Sequence, residues 1–441
     1  MRWGSLIARP VSRKNKLDLQ NSTATLVLKD RTQHIIDSFG TKRFILAAWI
    51  AIAVYLLGFA VAALLRSQSD FYIYRDAGLR TTAGQRIYDF GNLSPFQYAP
   101  IYALLFIPFG WLPVRWAQGL WFLVSMAAAL PALILGSGRL LFGARSTLRA
   151  DLIVLPLLLC TRFIPPSFDQ GQTDFIVLAM TVWGLAFANE SRALLGGALL
   201  AASILIKPLA FAPLVYLTFC GRWSVIGSFI CFTLLFLAVP TVILGPGNTL
   251  SETRDYLSCL SGRANTQRLL HDLPSRNDQS ASALGVRIFS RRKGGLGWFE
   301  SGTAAGLGFA FQFALMLLVI RWAARHRTGS GGDDSLAIGV VFTVVPALLP
   351  IAWMGYYTAL MVPYMALVAI ALSRLRPHPA CSRIAVVAIA ASFIVSMGSQ
   401  FSKSALFYGA PYLGSLIILS AIVWIAVQNE KELNESLDTR R

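Results

Sequence analysis

The feature that most constrains this chain is the recurrence of uninterrupted apolar runs from Phe44 to Val427, many approaching the ~20 residues that a helix needs to cross hydrocarbon. Only 14% of the residues are charged while 55% are hydrophobic, and the mean hydropathy is +0.59. A soluble domain carries charge on about a quarter of its residues. The runs are continuous and show no alternation of apolar and polar positions, so helices and not an outer-membrane barrel carry the spans. The expected fold is an all-α, polytopic helical membrane protein.

Spans are expected near Phe44–Leu65, Trp116–Leu135, Leu152–Ile164, Phe175–Ala188, Leu194–Ile206 and Leu209–Phe219. Further spans follow near Val225–Leu244, Ala304–Ile320, Leu336–Ile351, Thr358–Leu372, Ile384–Met397 and Leu413–Val427, giving about 12 transmembrane helices. Residues 1–43 form a basic tail with no apolar h-region and are expected in the cytoplasm, before an uncleaved first helix. The membrane domain then occupies 44–428, with a first outer loop at 66–115, a large outer loop at 245–302 and a short cytoplasmic tail at 429–441. Phe96–Trp111 carries Pro100 and Pro108 and is short, which predicts a re-entrant or interfacial segment.

A net charge of +18 on 441 residues raises the question of nucleic acid. The basic residues are dispersed among short linkers (Arg139, Arg145 and Arg149; Arg192; Arg222; Arg321, Arg325 and Arg327; Arg374, Arg376 and Arg383), the pattern of the positive-inside bias, so no nucleic-acid partner is expected. That orientation leaves the Asp76 loop, Pro165–Asp174, Lys207-Pro208, the 245–302 loop and the Trp353–Tyr357 corner together on the outer face. The expected location is a plasma (inner) membrane with the site on its extracytoplasmic side. The five cysteines are scattered and the four histidines isolated, so neither a disulfide framework nor a metal site is indicated. No Walker A, Gly-x-Gly-x-x-Gly or His-Glu-x-x-His string occurs, and no cofactor is called for.

Four strings carry candidate chemistry. In Asp70-Phe-Tyr-Ile-Tyr-Arg-Asp76, the Asp76 carboxylate is read either as a general base near the membrane or as half of an ion pair with Arg75 or Arg80, with Asp70 and Asp89 as rival acids. Asp169-Gln-Gly-Gln-Thr-Asp174 reads either as a helix cap or as a set of amide and carboxylate contacts to sugar hydroxyls. Lys207, after the apolar Ala201–Ile206, needs an anion or water; a phosphate would suit it, and a snorkelling side chain is the alternative. The loop from Gly245 to Gly302 holds an excess of arginine that either binds phosphate or is a solvated basic loop attracted to anionic headgroups, and Asn277-Asp-Gln-Ser280 followed by Arg287 is its most specific string.

Taken in order, Tyr74-Arg-Asp-Ala77 with Gly84 and Tyr88, Phe96-Gln-Tyr-Ala-Pro100, Leu104-Leu-Phe-Ile-Pro108, Gly171-Gln-Thr-Asp174, Lys207-Pro208, Asp278-Gln-Ser280 with Arg287, and Leu349-Pro-Ile-Ala-Trp353 resemble glycosyltransferase family 87, a GT-C fold group that includes polyprenyl-phosphate-mannose-dependent mannosyltransferases. The resemblance runs from about Phe71 to Pro363. It implies a polyprenyl-phosphate sugar donor, mannose among the candidate sugars, a lipid or glycan acceptor, and inverting transfer on the outer face with no obligatory metal. Carried onto this chain, it implies Asp76 as the base, Lys207 and Arg287 on the donor phosphate, and Tyr74, Tyr98, Gln172, Asp174, Gln279, Trp353 and Tyr356 around the substrates. Relatives often carry a histidine after the tryptophan of the last string, where this chain has Met354-Gly-Tyr-Tyr357. A transporter or flippase of a lipid-linked glycan is the alternative, but it should show inverted repeats and polar groups at mid-membrane depth, and neither is evident. An O-antigen-type polymerase or ligase would share the arginine-bearing outer loop but lack the early acidic loop.

Overall fold

The computed structural model describes residues 43, 46–47, 49–55, 57–58, 61, 68–88, 96–144, 146, 148–264, 275–291, 295–326, 331–346, 351–372 and 379–438. Two units separate, Met1–Val54 and Tyr55–Arg441. In the first, the described positions from Arg43 to Val54 are helical, and the expected tail lies outside the described residues apart from Arg43. Asp89, Leu349-Pro350 and the parts of the arginine-bearing 245–302 loop at 265–274 and 292–294 also lie outside them.

Among the described residues the larger unit is helical, and its one β-type contact is an isolated bridge between Ser290 and Phe299. In chain order the helices are α1 (Ser69–Thr82), α2 (Pro100–Leu105), α3 (Ile107–Trp111), α4 (Val114–Phe142), α5 (Ala150–Leu159), α6 (Ile164–Gln170), α7 (Asp174–Asn189), α8 (Ala193–Ile206) and α9 (Pro208–Phe219). There follow α10 (Trp223–Leu244), α11 (Pro246–Ala264), α12 (Ala281–Phe289), α13 (Ser301–Arg325), α14 (Gly331–Val344), α15 (Met354–Ala371), α16 (Pro379–Phe401), α17 (Lys403–Phe407) and α18 (Ala410–Asp438). The last helix therefore continues well into the stretch expected as a tail.

Six of these, α4, α10, α13, α15, α16 and α18, are long and apolar enough to cross a membrane, or seven if the α5–α6 pair, bent by 70°, counts as one span. The expected dozen is not confirmed among the described residues, where several of the expected segments are apolar but short or broken. Pro165 and Pro166 open α6 after a turn at Thr161–Phe163, and Lys207-Pro208 separates α8 from α9. Apolarity also serves two different purposes. Of its apolar window, α15 buries 94% within the protein, whereas α10 buries 11% and leaves the remainder with the composition that faces lipid.

Helices α7 and α8 form a hairpin that fixes the position of Lys207. A Cβ on Gly196 would lie 2.9 Å from the Gly184 carbonyl, so the two backbones approach as closely as small residues allow. The Thr181 and Ser203 hydroxyls bond across the pair at 2.7 Å. At one end Glu190 receives both arms of Arg139 at 2.6 Å, and the guanidinium stands over the Trp183 ring. Asp174 and Lys207 meet at the other end, about 24 Å away for sixteen helical residues.

The Phe96–Trp111 segment folds as α2 and α3, six and five residues long, which is too short to span. Helix α1 lies on the break between them, because Gly78 leaves no room for a side chain: its Cβ would fall 2.6 Å from the Phe106 carbonyl carbon. Arg75 donates to the carbonyls of Phe109, Gly110 and Leu112 at 3.0–3.1 Å and so closes the end of α3 rather than pairing with Asp76. Phe71, Tyr74, Tyr102, Phe106, Phe109 and Trp121 fill the junction with rings 4.8–6.5 Å apart.

A Gly78→Val substitution should therefore separate α1 from α2–α3 and destabilise the protein by about 1–3 kcal/mol, the usual cost of overpacking. A lowered midpoint of thermal unfolding in detergent checks this, with Gly58→Val, where a Cβ meets nothing within 4 Å, as the silent control.

Candidate active site

The site is built around Lys207, whose charged side chain is buried at the end of the mostly apolar Ala201–Ile206 run. Pro208 cannot donate to the preceding turn, and the backbone at Lys207 becomes extended (φ −143°, ψ 139°) before a short 3-10 turn at Pro208–Ala210. The break frees the Leu205 carbonyl, which accepts from the Ala99 amide at 3.1 Å and ties this corner to the start of α2. From there the ammonium donates to Asp174 Oδ1 at 2.5 Å and Gln172 Oε1 at 3.2 Å, and lies 4.8 Å from the centre of the Tyr356 ring. An ammonium has three N–H donors, so one remains without a protein acceptor among the described residues.

Asp174 is fully enclosed, and its second oxygen accepts from Ser167 Oγ at 2.6 Å. Gly355 closes over this pair. A Cβ there would collide with both Asp174 Oδ2 and Ser167 Oγ, so the absence of a side chain at 355 is what lets the Trp353–Tyr357 corner reach Lys207. Gly171, at φ +68°, turns the chain between α6 and α7 while Trp121 Nε1 donates to its carbonyl at 2.8 Å. Gln172 is thereby directed inward.

Asp70 completes the cluster from α1. It is part-buried, hydrogen-bonded by the Ser69 hydroxyl at 3.3 Å and by the Gln172 side chain, and sits in the field of both Lys207 and Asp174. Burial pushes its carboxyl above the ordinary carboxylate range, and the Lys207 charge offsets only part of that rise. Tyr74, one helical turn on, bonds the Tyr98 hydroxyl at 3.0 Å, and Tyr98 in turn feels Lys207 and Asp70.

Asp76 is placed elsewhere. Six residues on from Asp70 it points about 240° round the helix, its carboxylate is 56% exposed, and Arg80 Nε holds it at 2.7 Å. The ion-pair reading of Asp76 thus describes its geometry, while it is the rival acid Asp70 that bonds Gln172 and lies in the field of Lys207. Helical phase accounts for the difference, since Asp70 and Tyr74 share a face and Asp76 does not.

Arg287 and Gln279 belong to a second cluster. Arg287 donates to the carbonyls of Ser275, Asp278 and Phe407 at 2.6–2.8 Å, and Gln279 Nε2 to those of Arg276 and Leu406 at 2.6 and 3.0 Å. Asp278 Oδ1 accepts from the amides of Ser280 and Ala352, both at 2.9 Å. These groups fasten the 275–280 turn to α17 and to the Trp353 corner. None of these bonds reaches Lys207, and Asp278 Oδ2, Gln279 Oε1 and Arg287 Nη2 stay buried without a partner among the described residues. Tyr357 joins the clusters, donating to the Gln279 carbonyl at 2.7 Å while its neighbour Tyr356 stands over Lys207. Trp353 is half-buried at the start of this corner.

Of the expected site residues, the structure brings together Tyr74, Tyr98, Gln172, Asp174, Lys207 and Tyr356 and sets Asp76, Gln279 and Arg287 apart. Sequence reasoning missed Ser167 and Gly355. Neither had a signal of its own, because each matters only through Asp174. The described residues hold no group of histidine, cysteine or carboxylate side chains able to bind a metal.

With this geometry in view, comparison with known families is decisive. The family described as Glycosyltransferase family 87 matches residues 96–345, more than half of the chain. The chain belongs to glycosyltransferase family 87. No curated protein and no solved structure gives a significant match. The family 87 match contains Tyr98, Gln172, Asp174, Lys207, Gln279 and Arg287, and it begins after α1, so it does not reach Asp70 or Asp76. With its six membrane-length helices, the protein is a membrane glycosyltransferase of family 87.

Asp174→Asn should strand the Lys207 ammonium in a buried setting and cost about 3–5 kcal/mol, whereas Asp76→Asn removes an exposed i,i+4 pair and costs under about 0.5 kcal/mol. Parallel thermal unfolding of the two variants in detergent measures the difference.

Proposed function

We propose that this family 87 enzyme transfers a sugar from a polyprenyl-phosphate donor to a hydroxyl of a lipid or glycan acceptor, with inversion, in a GT-C type architecture, and that Asp70 and not Asp76 is the base. The observation that carries the reading is the position of Asp70, a carboxylate with a raised proton affinity beside a buried lysine that has one N–H without an acceptor among the described residues.

The acceptor hydroxyl gives its proton to Asp70 as its oxygen attacks the anomeric carbon from the side opposite the phosphate. The carbon–oxygen bond to the phosphate breaks, and the polyprenyl phosphate leaves with the electron pair. Its new charge is met by the third N–H of Lys207, held in place by Asp174, Gln172 and the Tyr356 ring. A phosphate is already a competent leaving group, so positioning, a base and one fixed cation account for the chemistry. Where relatives often carry a histidine this chain has Met354-Gly-Tyr-Tyr357, with Tyr356 or Tyr357 as the substitute hydrogen-bonding group, so mannose is one candidate sugar among several.

The site is proposed to open on the extracytoplasmic side of a plasma membrane. Support comes from α7 and α8, where Arg139 and Arg192 gather at the end opposite Asp174 and Lys207, as the positive-inside bias favours.

Membranes containing the protein, incubated with labelled polyprenyl-phosphate sugars and acceptor lipids, test the reading. Asp70→Asn should lower transfer by about a hundredfold or more, and Asp76→Asn should leave it within about threefold. The reverse result would return the base to Asp76, and turnover of an intact nucleotide sugar would sink the donor assignment. A base must be unprotonated to act, so transfer should rise with pH through an acid limb shifted upward from the ordinary aspartate value, because burial raises Asp70. A limb at or below the ordinary aspartate value would contradict the assignment.

A further inference from the structure

Helix α11 (Pro246–Ala264) has no part in the chemistry above, and its three faces differ in character. Thr249, Glu252, Tyr256 and Cys259 are buried and fall within about 80° of one another around the helix. Leu260, Leu257 and Leu250 take the next sector, also about 80° wide, and are 36%, 56% and 64% exposed. The remaining surface is polar: Arg254 borders the leucines, and Ser258, Ser251, Asp255 and Asn248 follow. A helix with only protein on one side and water on the other carries polar residues over its whole uncovered face, so an open apolar sector calls for an apolar neighbour.

The placement of α11 identifies that neighbour. The helix follows α10, which buries only 11% of its apolar window and leaves Val242 and Ile243 exposed in its last turn. Gly245, at φ +77° and ψ 161°, ends α10 and prevents a straight continuation. Continued straight, Cys259 would stand about 22 Å beyond Leu244. Instead Tyr256 and Cys259 join the buried cluster around Tyr88 and Phe96, against which Leu237 and Leu244 of α10 also pack. Cys259 Sγ lies 3.9 Å from the Phe96 carbonyl, and three residues further on the Ala99 amide bonds the Leu205 carbonyl in the last turn of α8. Helix α11 therefore lies across the ends of α8 and α10 and does not project from them. Arg86, in the segment after α1, fastens it there by pairing with Asp255 and standing 3.9 Å from Glu252.

We propose that α11 is a membrane-surface helix, with Leu250, Leu257 and Leu260 entering the acyl boundary of the phospholipid leaflet at the end of α10 and Arg254 at the level of the headgroup phosphates. A helix lying in the plane of the interface has this composition, leucines on one side and a basic residue at the border with the polar side. The exposed end of α10 already belongs to the lipid-facing surface, and the leucine sector extends that surface within two turns of Gly245. The leaflet would then hold the α1 segment at a fixed depth through Arg86 and the Tyr88–Phe96 cluster. The anchor is independent of which carboxylate acts as base.

The test uses the full chain with Cys220→Ser and Cys231→Ser, which removes the two described cysteines that are not buried. Leu250→Cys, Leu257→Cys and Ser258→Cys are introduced one at a time, tagged with a nitroxide, and reconstituted into liposomes of phosphatidylcholine and phosphatidylglycerol. Power saturation then compares access by oxygen, which concentrates in lipid, with access by a water-soluble nickel chelate. The oxygen-to-nickel ratio should be about threefold or more higher at 250 and 257 than at 258. Equal ratios, or a ratio favouring nickel at the leucine positions, would put the sector in water and overturn the proposal. Low access by both reagents at 250 and 257 would overturn it too, by showing that a second copy or another protein covers the leucines. Each tagged protein must elute in detergent as the untagged chain does, and if Leu250→Cys does not, Leu257→Cys and Leu260→Cys read the same sector.

Discussion

The buried ion pair between Lys207 and Asp174 is the interaction on which the rest of the site depends. Neither charge could remain in its setting alone, since an isolated ion away from water is costly and only close pairing with further hydrogen bonds offsets that cost. Each feature around it serves the pair. Pro208 breaks the helix so that the lysine can turn, Ser167 takes the second carboxylate oxygen, and Gln172 and the Tyr356 ring occupy other sides of the ammonium. The close α7–α8 hairpin brings two residues thirty-three positions apart to within 2.5 Å. One cation pinned by a fully enclosed partner is a preorganised charge, and on the proposed reaction it would stabilise the leaving phosphate without reorganising.

The second cluster has a different task. Arg287, Gln279 and Asp278 spend most of their hydrogen-bonding capacity on main-chain groups of the 275–280 turn, the Trp353 corner and α17. The three carbonyl contacts of Arg287 show how a loop without regular structure is held, by a charged side chain standing in for a ladder of backbone bonds, and they leave its Nη2 buried without a partner among the described residues. The two clusters meet at consecutive residues, because Tyr356 and Tyr357 on a 3-10 turn project to different sides.

Composition and run length made the helical membrane class legible, and the Pro-flanked Lys207 could be recognised as a break because lysine and proline are both unfavourable inside an apolar helix. Span number was less legible, since hydropathy measures apolarity and not whether lipid or protein is the neighbour. Helix α15 is as apolar as a span yet is almost wholly enclosed by its own chain. Which of Asp70 and Asp76 lies beside Gln172 and Lys207 depends on helical phase relative to Tyr74, and that phase acquires meaning only once the partner surface formed by α2 and α6–α7 is known. Ser167 and Gly355 were invisible for the same reason, being ordinary residues whose importance comes from what approaches them.

Gly355 has a consequence for how this sequence can change. The space over it is filled by the Asp174 carboxylate and the Ser167 hydroxyl, so any side chain there requires one of those oxygens to leave, and the loss of Asp174 leaves Lys207 without its counter-ion. Positions 167, 174, 207 and 355 therefore form a single unit of inheritance. A drifting lineage can cross to another arrangement only through several replacements made together, whereas the exposed Asp76–Arg80 pair on the far side of α1 is free to vary one residue at a time.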